Sequence, residues 1–137
     1  TSGIGIITIG GNNEAEISEM RERAIDAVEA TKAALEYGVV AGGETALLRG
    51  SYRKAPTKWD SDVRLGYEIV LYACRKPFDK LLDNSNVDIR IDPLTNDVTS
   101  GVDVLNGEVT NLIDAGILDP VAVPKTALKN AASAARA

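Results

Sequence analysis

The sequence predicts a mainly α-helical bundle with a long helix, an N-terminal strand and one small β-hairpin. Three observations lead to this prediction. Apolar residues recur at helical spacing over residues 13–37 and again over 61–82, and the tail after residue 124 is rich in alanine. The clearest strand-forming stretches, residues 2–9 and 101–109, are both short. Helices should therefore supply most of the core.

The long helix has a start signal and a stop signal. Asn13 is expected to cap its N-terminus, and Glu16 completes a capping-box pattern. Gly38 should end it, because glycine accepts the left-handed conformation of a C-cap. The predicted packing stripe consists of residues spaced by three and four positions: Ile17, Met20, Ala24, Val28, Thr31 and Leu35.

Apolar residues follow directly after this helix. Val39, Val40 and Ala41 are expected to be buried. Gly42 and Gly43 then allow a backbone or a ligand to come close, where a side chain would block the approach. Residues 44–49 are predicted to form a second, shorter helix that ends near residue 50.

The N-terminal residues 2–9 are β-branched and end in two glycines, which predicts a short strand and a turn. Without a partner strand it would be an unpaired edge. The chain begins in this strand without a methionine. We therefore expect it to be a piece of a longer protein.

A third helix is predicted from Ser61, its N-cap, to about Leu82. Apolar residues populate both of its sides, which predicts a central helix buried nearly all round. Pro77 lies inside this stretch and should kink or divide it. Cys74 is interpreted as a small core residue, since no activating base is near it in sequence.

The C-terminal third should alternate turns with short elements. Residues 89–91 suggest a short strand, and Asn106 with Gly107 predicts a two-residue type I′ hairpin turn in which Val102 and Val104 share a face opposite Asp103. Residues 110–115 are expected to form a helical turn closed by a glycine. Asp119 is predicted to cap a final helix that opens at residue 120 or at residue 124.

Composition excludes several classes of function. The 137 residues suit one domain, and the net charge of −5 argues against a general nucleic-acid or membrane-surface binder. The chain has no histidine and a single cysteine, which excludes Ser-His-Asp triads, Cys-His nucleophiles and thiolate–imidazole metal sites. Nothing resembles a signal peptide or a spanning helix, so a reducing, cytoplasmic setting is the expectation.

Three carboxylates stand beside predicted turns or helix faces: Asp26, Asp103 and Asp119. Clustered carboxylates can bind hydrated magnesium or position a water. The simpler interpretation is a helix-face charge, a polar hairpin residue and an N-cap, and residue chemistry alone favours it. Asp26 lies opposite the apolar stripe, next to the small residues Ala30 and Ala33, which would permit close approach by another group.

Three sequence blocks add a resemblance. AIDAVEATKAALEYGVVAGGETAL, SGVDVLNGEVTNLIDAGILDP and VPKTALKNAASAA resemble, in order and spacing, the C-terminal part of group I (GroEL-like) chaperonins, and SGIGIITIGG resembles the strand before the long helix there. The resemblance implies that residues 1–37 are the returning intermediate-domain segment. It also implies that residues 38–137 are the C-terminal half of the equatorial ATP-binding domain.

The same resemblance implies roles for nine residues. Asp26 corresponds to the aspartate that helps activate the water attacking ATP, and Gly42 and Gly43 to the turn packed against the nucleotide. The remaining positions correspond to the adenine-side hairpin, the apolar walls and the ribose carboxylate: Asp103, Val104, Leu105, Leu81, Ile117 and Asp119. No magnesium ligand is implied in this chain, because the family's phosphate loop and magnesium aspartate precede this part.

The implied parent is an ATPase whose rings form a folding chamber, with ATP and magnesium as cofactors. Unfolded clients and a co-chaperonin would bind an apical domain outside these residues, and the chain alone should be inactive. Glu44 departs from the family's pattern, in which a third glycine is usual, and adds negative charge near a phosphate-bearing ligand. A free-standing structural or interaction domain of this fold, without ATPase activity, is the alternative.

Overall fold

The computed structural model describes residues 3–89 and 97–137. The predicted strand at residues 89–91 therefore lies largely outside the described residues. Helices dominate the rest, as predicted. In chain order the elements are α1 (Glu14–Tyr37), β1 (Val39–Ala41), α2 (Thr45–Ser51), α3 (Ser61–Ala73), α4 (Lys76–Ser85), β2 (Ser100–Asp103), β3 (Glu108–Asn111), β4 (Leu118–Pro120) and α5 (Ala122–Ala135).

Helix α1 begins and ends where the sequence predicts. The Glu16 amide donates to Asn13 Oδ1 at 2.9 Å. The Glu16 carboxylate accepts from the backbone of Asn12 at 2.7 Å, so the reciprocal bond closes one residue earlier than in a standard capping box. At the other end Gly38 has φ +82° and donates to the carbonyl of Ala34 at 2.9 Å. Both termini are therefore satisfied locally.

The predicted packing stripe of α1 is wrong for this chain. Most of its apolar residues are exposed, and Leu35 keeps 84% of its surface. The partly buried positions of α1 include the small residues Ala30, Ala33 and Ala34, and α1 contacts β4. Small side chains let a neighbouring strand approach closely, whereas the larger apolar stripe meets few partners among the described residues.

The predicted N-terminal strand is also absent. Residues 3–10 form no strand, and Ile4 is 93% exposed. A strand needs a neighbour to satisfy its backbone groups, and no described segment pairs with this one. Part of it lies instead along α1, where Ile7 and Ile9 face Ala24 and Val28 across a shallow cavity.

Pro77 divides the predicted third helix into α3 and α4, since it occupies the first turn of α4. Asp60, rather than Ser61, caps α3: its carboxylate accepts from the Asp62 amide at 2.9 Å. The expectation that this helix is buried nearly all round is wrong, because no residue of α3 is fully buried within the described chain and only Tyr67 and Leu71 are partly buried. Cys74, just after α3, is buried as predicted.

The small core joins α2, α4 and the hairpin. Leu48, Phe78 and Val102 form the buried cluster, and Val104 packs against it from one side. Strands β2 and β3 pair antiparallel from Ser100 opposite Asn111 to Asp103 opposite Glu108. The hairpin therefore exists, but its loop has four residues rather than two.

The loop differs from the type I′ prediction because Asp103 organises it. Its Oδ1 accepts from the Leu105 amide at 2.9 Å, and its Oδ2 accepts from Asn106 Nδ2 at 2.6 Å. Gly107 has φ +67°, whereas Asn106 is not left-handed, so the type I′ geometry is excluded. The four-residue loop is favoured over a two-residue turn because the Asp103 side chain accepts two hydrogen bonds within it.

In residues 112–137 one prediction is confirmed and one is wrong. The helical turn closed by Gly116 is present over residues 112–116. Asp119, however, caps no helix: it lies in β4, opposite Val40 of β1 in an antiparallel pair. Helix α5 starts at Ala122, so Pro124 lies in its first turn, where a missing amide hydrogen costs little.

Candidate functional site

The turn after β1 brings two predicted site residues into contact. The Gly42 amide donates to the carbonyl of Ile117 at 2.9 Å. A Cβ on Gly42 would lie 3.0 Å from that same oxygen, so the second chain segment approaches where only glycine leaves room. The close approach expected at this turn is therefore made by the protein's own backbone. Ala41, next to it, is buried, whereas Val39 is exposed.

Gly43 has a different requirement. Its φ of +59° is left-handed, which glycine adopts without strain. A Cβ built there would meet Leu81 Cδ2 at 3.8 Å and the Val102 carbonyl oxygen at 3.7 Å, which are ordinary contacts. The turn thus lies between α4 and strand β2. Leu81, predicted as an apolar wall, is placed beside it.

The residues around the turn at Gly42 and Gly43 form a second cluster, distinct from the hydrophobic core, with Leu81 and Ile117 as its apolar members. Glu44 and Asp119 form its polar side. Glu44 is left-handed as well, with φ +61°, and precedes α2. Burial raises the pKa of its carboxyl group, and the nearby negative charge of Asp119 raises it further. Burial likewise raises the pKa of Asp119. Two partly buried carboxylates therefore lie close enough to repel each other, and the sequence did not reveal this proximity.

The hairpin residues contribute unequally. Asp103 uses both carboxylate oxygens to hold its own loop. Val104 packs on the core cluster, so its side chain supports the fold. Leu105 lies in the hairpin loop and is 93% exposed, so its side chain packs against little of the described chain.

Asp26 stands apart from this cluster. It is exposed on α1, and within the described chain its side chain makes no hydrogen bond or ion pair. It shares a helix face with Ala30, one turn further on, which is partly buried. Helix α1 as a whole contacts β4, the strand that carries Asp119.

Sequence reasoning missed two residues behind the glycine turn. Thr45 is fully buried, and its hydroxyl oxygen has no hydrogen-bond partner among the described residues. Gly101 lies against it: a Cβ there would be 2.5 Å from Thr45 Oγ1 and closer still to Leu112 Cδ1. A glycine inside a strand-forming run was the available signal for such an approach.

The residues around the glycine turn suit the base and sugar of a nucleotide better than its phosphate groups. Leu81 and Ile117 offer apolar side chains, as a base would need, and Asp119 can accept hydrogen bonds from sugar hydroxyls. None of the nine predicted site residues is cationic, and Glu44 adds a carboxylate that repels phosphate. These residues are therefore compatible with the base and ribose that the resemblance implies, whereas phosphate groups would need cations or a metal from elsewhere.

Comparison with known proteins decides the family. The family model described as the TCP-1/cpn60 chaperonin family matches residues 1–137. This chain belongs to the TCP-1/cpn60 chaperonin family. It is 39% identical over 141 residues to the mitochondrial 60 kDa heat shock protein homolog 2 of Drosophila melanogaster, which confirms the resemblance to group I chaperonins.

The match covers 98% of this chain but only 24% of that relative, so the chain spans about a quarter of the length of the protein it matches. Within residues 3–89 and 97–137, no helix is both long enough and apolar enough to cross a membrane.

Proposed function

We propose that the chain is part of an ATP-dependent chaperonin and supplies the adenosine side of its nucleotide site. The observation that carries this proposal is the meeting of Gly43 with Leu81 and of Gly42 with Ile117, next to Asp119. These residues lie far apart in sequence, yet they surround one turn. Family membership supplies the reason to assign nucleotide chemistry to this turn.

The proposal divides the work between this chain and the rest of the parent protein. The apolar residues would hold the base, and the Asp119 carboxylate would accept from ribose hydroxyls. ATP with bound magnesium would supply the reactive phosphate and the charge that neutralises it. Asp26, exposed and without a partner among described residues, would orient the attacking water when α1 approaches the site.

The wider assignments follow from the same family and are part of the proposal. They are ring assembly, client proteins and a co-chaperonin bound outside these residues, and a cytoplasmic location. The fly relative's printed name places that protein in the mitochondrion. No role toward nucleic acid or membranes is proposed, in line with the net charge of −5.

One observation favours the alternative of a structural or interaction domain without ATPase activity. Burial, and after it the negative charge of Asp119, raises the pKa of Glu44 at the position where a nucleotide would bind. A parent without a glycine-threonine phosphate loop upstream of residue 1 would support that alternative.

A matched pair of isoleucines tests the nucleotide site in the intact parent protein. Ile117 is partly buried, and its carbonyl accepts from the Gly42 amide, which places the residue at the glycine turn, whereas Ile113 lies four residues earlier, beside Val39 and Val98. Ile117→Ala should weaken ATP affinity about 10-fold through lost apolar contact. Ile113→Ala should leave it within about 2-fold. Equal affinities of both variants and wild type, measured by equilibrium titration, would refute the assignment.

A further inference from the structure

A second cavity lies away from the glycine turn, between α3 and the connection that follows α2. It has a volume of about 520 Å³. This lies within the range of small-molecule sites in proteins. The residues around it come from the end of α2, from residues 52–57 and from one side of α3. None of the nine nucleotide-site residues lines it.

The cavity is basic although the chain is acidic. Four cationic side chains line it, from Arg53, Lys54, Arg64 and Arg75, against the single carboxylate of Glu68. Residues 45–59 contain four cations and no acidic residue, in a chain of net charge −5. Three positive charges are thus in excess around one cavity.

The excess is not neutralised internally. Glu68 reaches only Arg64, at 3.8 Å, and both side chains are largely exposed, so that pair is weak. Within the described chain, Arg53, Lys54 and Arg75 form no ion pair. Like charges gathered without counter-charges repel one another, and a bound anion would relieve that repulsion.

Arg75 is also held in position. Its Nε donates to Ser51 Oγ at 3.2 Å, and its guanidinium lies 5.2 Å from the centre of the Tyr52 ring. Ser51 is itself buried and donates to the Leu48 carbonyl at 2.6 Å. The Ser51 bond uses one edge of the guanidinium fork, so its terminal nitrogens remain to bind an anion bidentately.

We propose that this cavity binds a phosphate-bearing small anion with two or more negative charges. Arg75 would act as the fixed contact, and Arg53 and Lys54 as mobile ones. The charge excess favours such a ligand over a single carboxylate, because one phosphate group carries about −1.5 to −2 at neutral pH. The site is separate from the adenosine side described above, and its existence does not depend on that proposal.

Calorimetric titration of the 137-residue chain with inorganic pyrophosphate at low ionic strength tests this. Saturable one-to-one binding is expected, weakened about 10-fold by Arg75→Gln and by Arg53→Gln, because each removes a charge-assisted hydrogen bond. Lys129→Gln on α5, a matched loss of one charge, should leave affinity within about 2-fold. The Arg53 side chain is exposed and makes no hydrogen bond or ion pair within the described chain, and the substitution keeps the backbone bond from its amide to the Gly50 carbonyl, so this variant should fold even if the Arg75 variant does not.

Further arms distinguish the alternatives. Orthophosphate should bind less tightly than pyrophosphate, and adenosine should not compete, since it would occupy the glycine-turn site. Absence of saturable binding would overturn the proposal. So would equal affinity of wild type and both arginine variants, or tighter binding of an oligoglutamate peptide than of pyrophosphate, which would assign the surface to an acidic protein segment.

Discussion

Gly101→Ala tests how closely strand β2 of the hairpin packs against Thr45, which follows the glycine turn, and against Leu112. Gly101 lies in β2 opposite Thr110, and its Cα faces the fully buried Thr45 and Leu112. A Cβ there would stand 2.5 Å from Thr45 Oγ1 and 3.0 Å from Leu112 Cγ. Both neighbours are fully buried, so a shift of either would move it against other interior atoms.

The size of the effect follows from overpacking. Adding one methyl group to a closely packed interior costs about 1–3 kcal/mol. Urea unfolding, followed by far-ultraviolet circular dichroism, should show that loss of unfolding free energy. The thermal midpoint should fall by about 4 °C for each kcal/mol in a chain of this length.

Gly66→Ala supplies the matched control. Gly66 lies inside α3, and a Cβ there would meet nothing within 4 Å. The same chemical change should therefore stabilise the protein by about 0.5–1 kcal/mol, through helix propensity alone. If Gly101→Ala were neutral or stabilising, the close packing of β2 against Thr45 would be refuted.

Two other predictions concern carboxylates. Folding raises the pKa of Glu44 above its ordinary value near 4.5, so the protonated form favours the folded state and stability is lost as pH rises through the folded pKa. Glu44→Gln should thus be more stable than wild type at pH 7, by at most about 1 kcal/mol given its exposure, and the advantage should vanish below the ordinary pKa; an advantage that grew on acidification would contradict the burial of Glu44 beside Asp119. Asp103→Ala should cost about 1 kcal/mol by losing the bonds to Leu105 and Asn106, whereas Asp103→Asn, which keeps the Oδ1 acceptor, should cost less than half as much in the same urea assay.

Local signals predicted the helices well. Capping at Asn13 and termination at Gly38 depend on the residues themselves, and the structure places both as expected. Pro77 divided its helix for the same reason, since its ring and missing donor act locally. The final helix likewise formed around Pro124.

Predictions that depended on distant partners failed. The apolar stripe that includes Leu35 and the strand at residues 3–9 both need a neighbouring surface, and the described chain offers them little. Asp119 precedes a proline, which resembles a helix cap, but pairing of its strand with β1 took precedence. Local sequence could not show that pairing, because its partner, Val40, is 79 positions away.

The candidate site likewise contains features that local sequence predicts and features that depend on distant residues. The glycine turn was recognised from its two adjacent glycines, and the resemblance supplied Leu81 and Ile117, which the structure places beside it. Leu105 is exposed on the loop that Asp103 holds, and its role at the nucleotide stays a prediction. The repulsion between the Glu44 and Asp119 carboxylates could not be predicted from the sequence, because the two residues come together only when β1 pairs with β4.

Single-turnover ATP hydrolysis by the intact parent protein, with and without Asp26→Ala, tests the account most directly. The Asp26 side chain is exposed and makes no hydrogen bond or ion pair within the described chain, so the substitution should change stability by less than about 0.5 kcal/mol. ATP affinity should stay within about 3-fold, while the hydrolysis rate should fall by about 100-fold or more, because the lost interaction acts in the transition state. Hydrolysis at the wild-type rate would contradict the assignment and return Asp26 to a solvent-exposed helix charge.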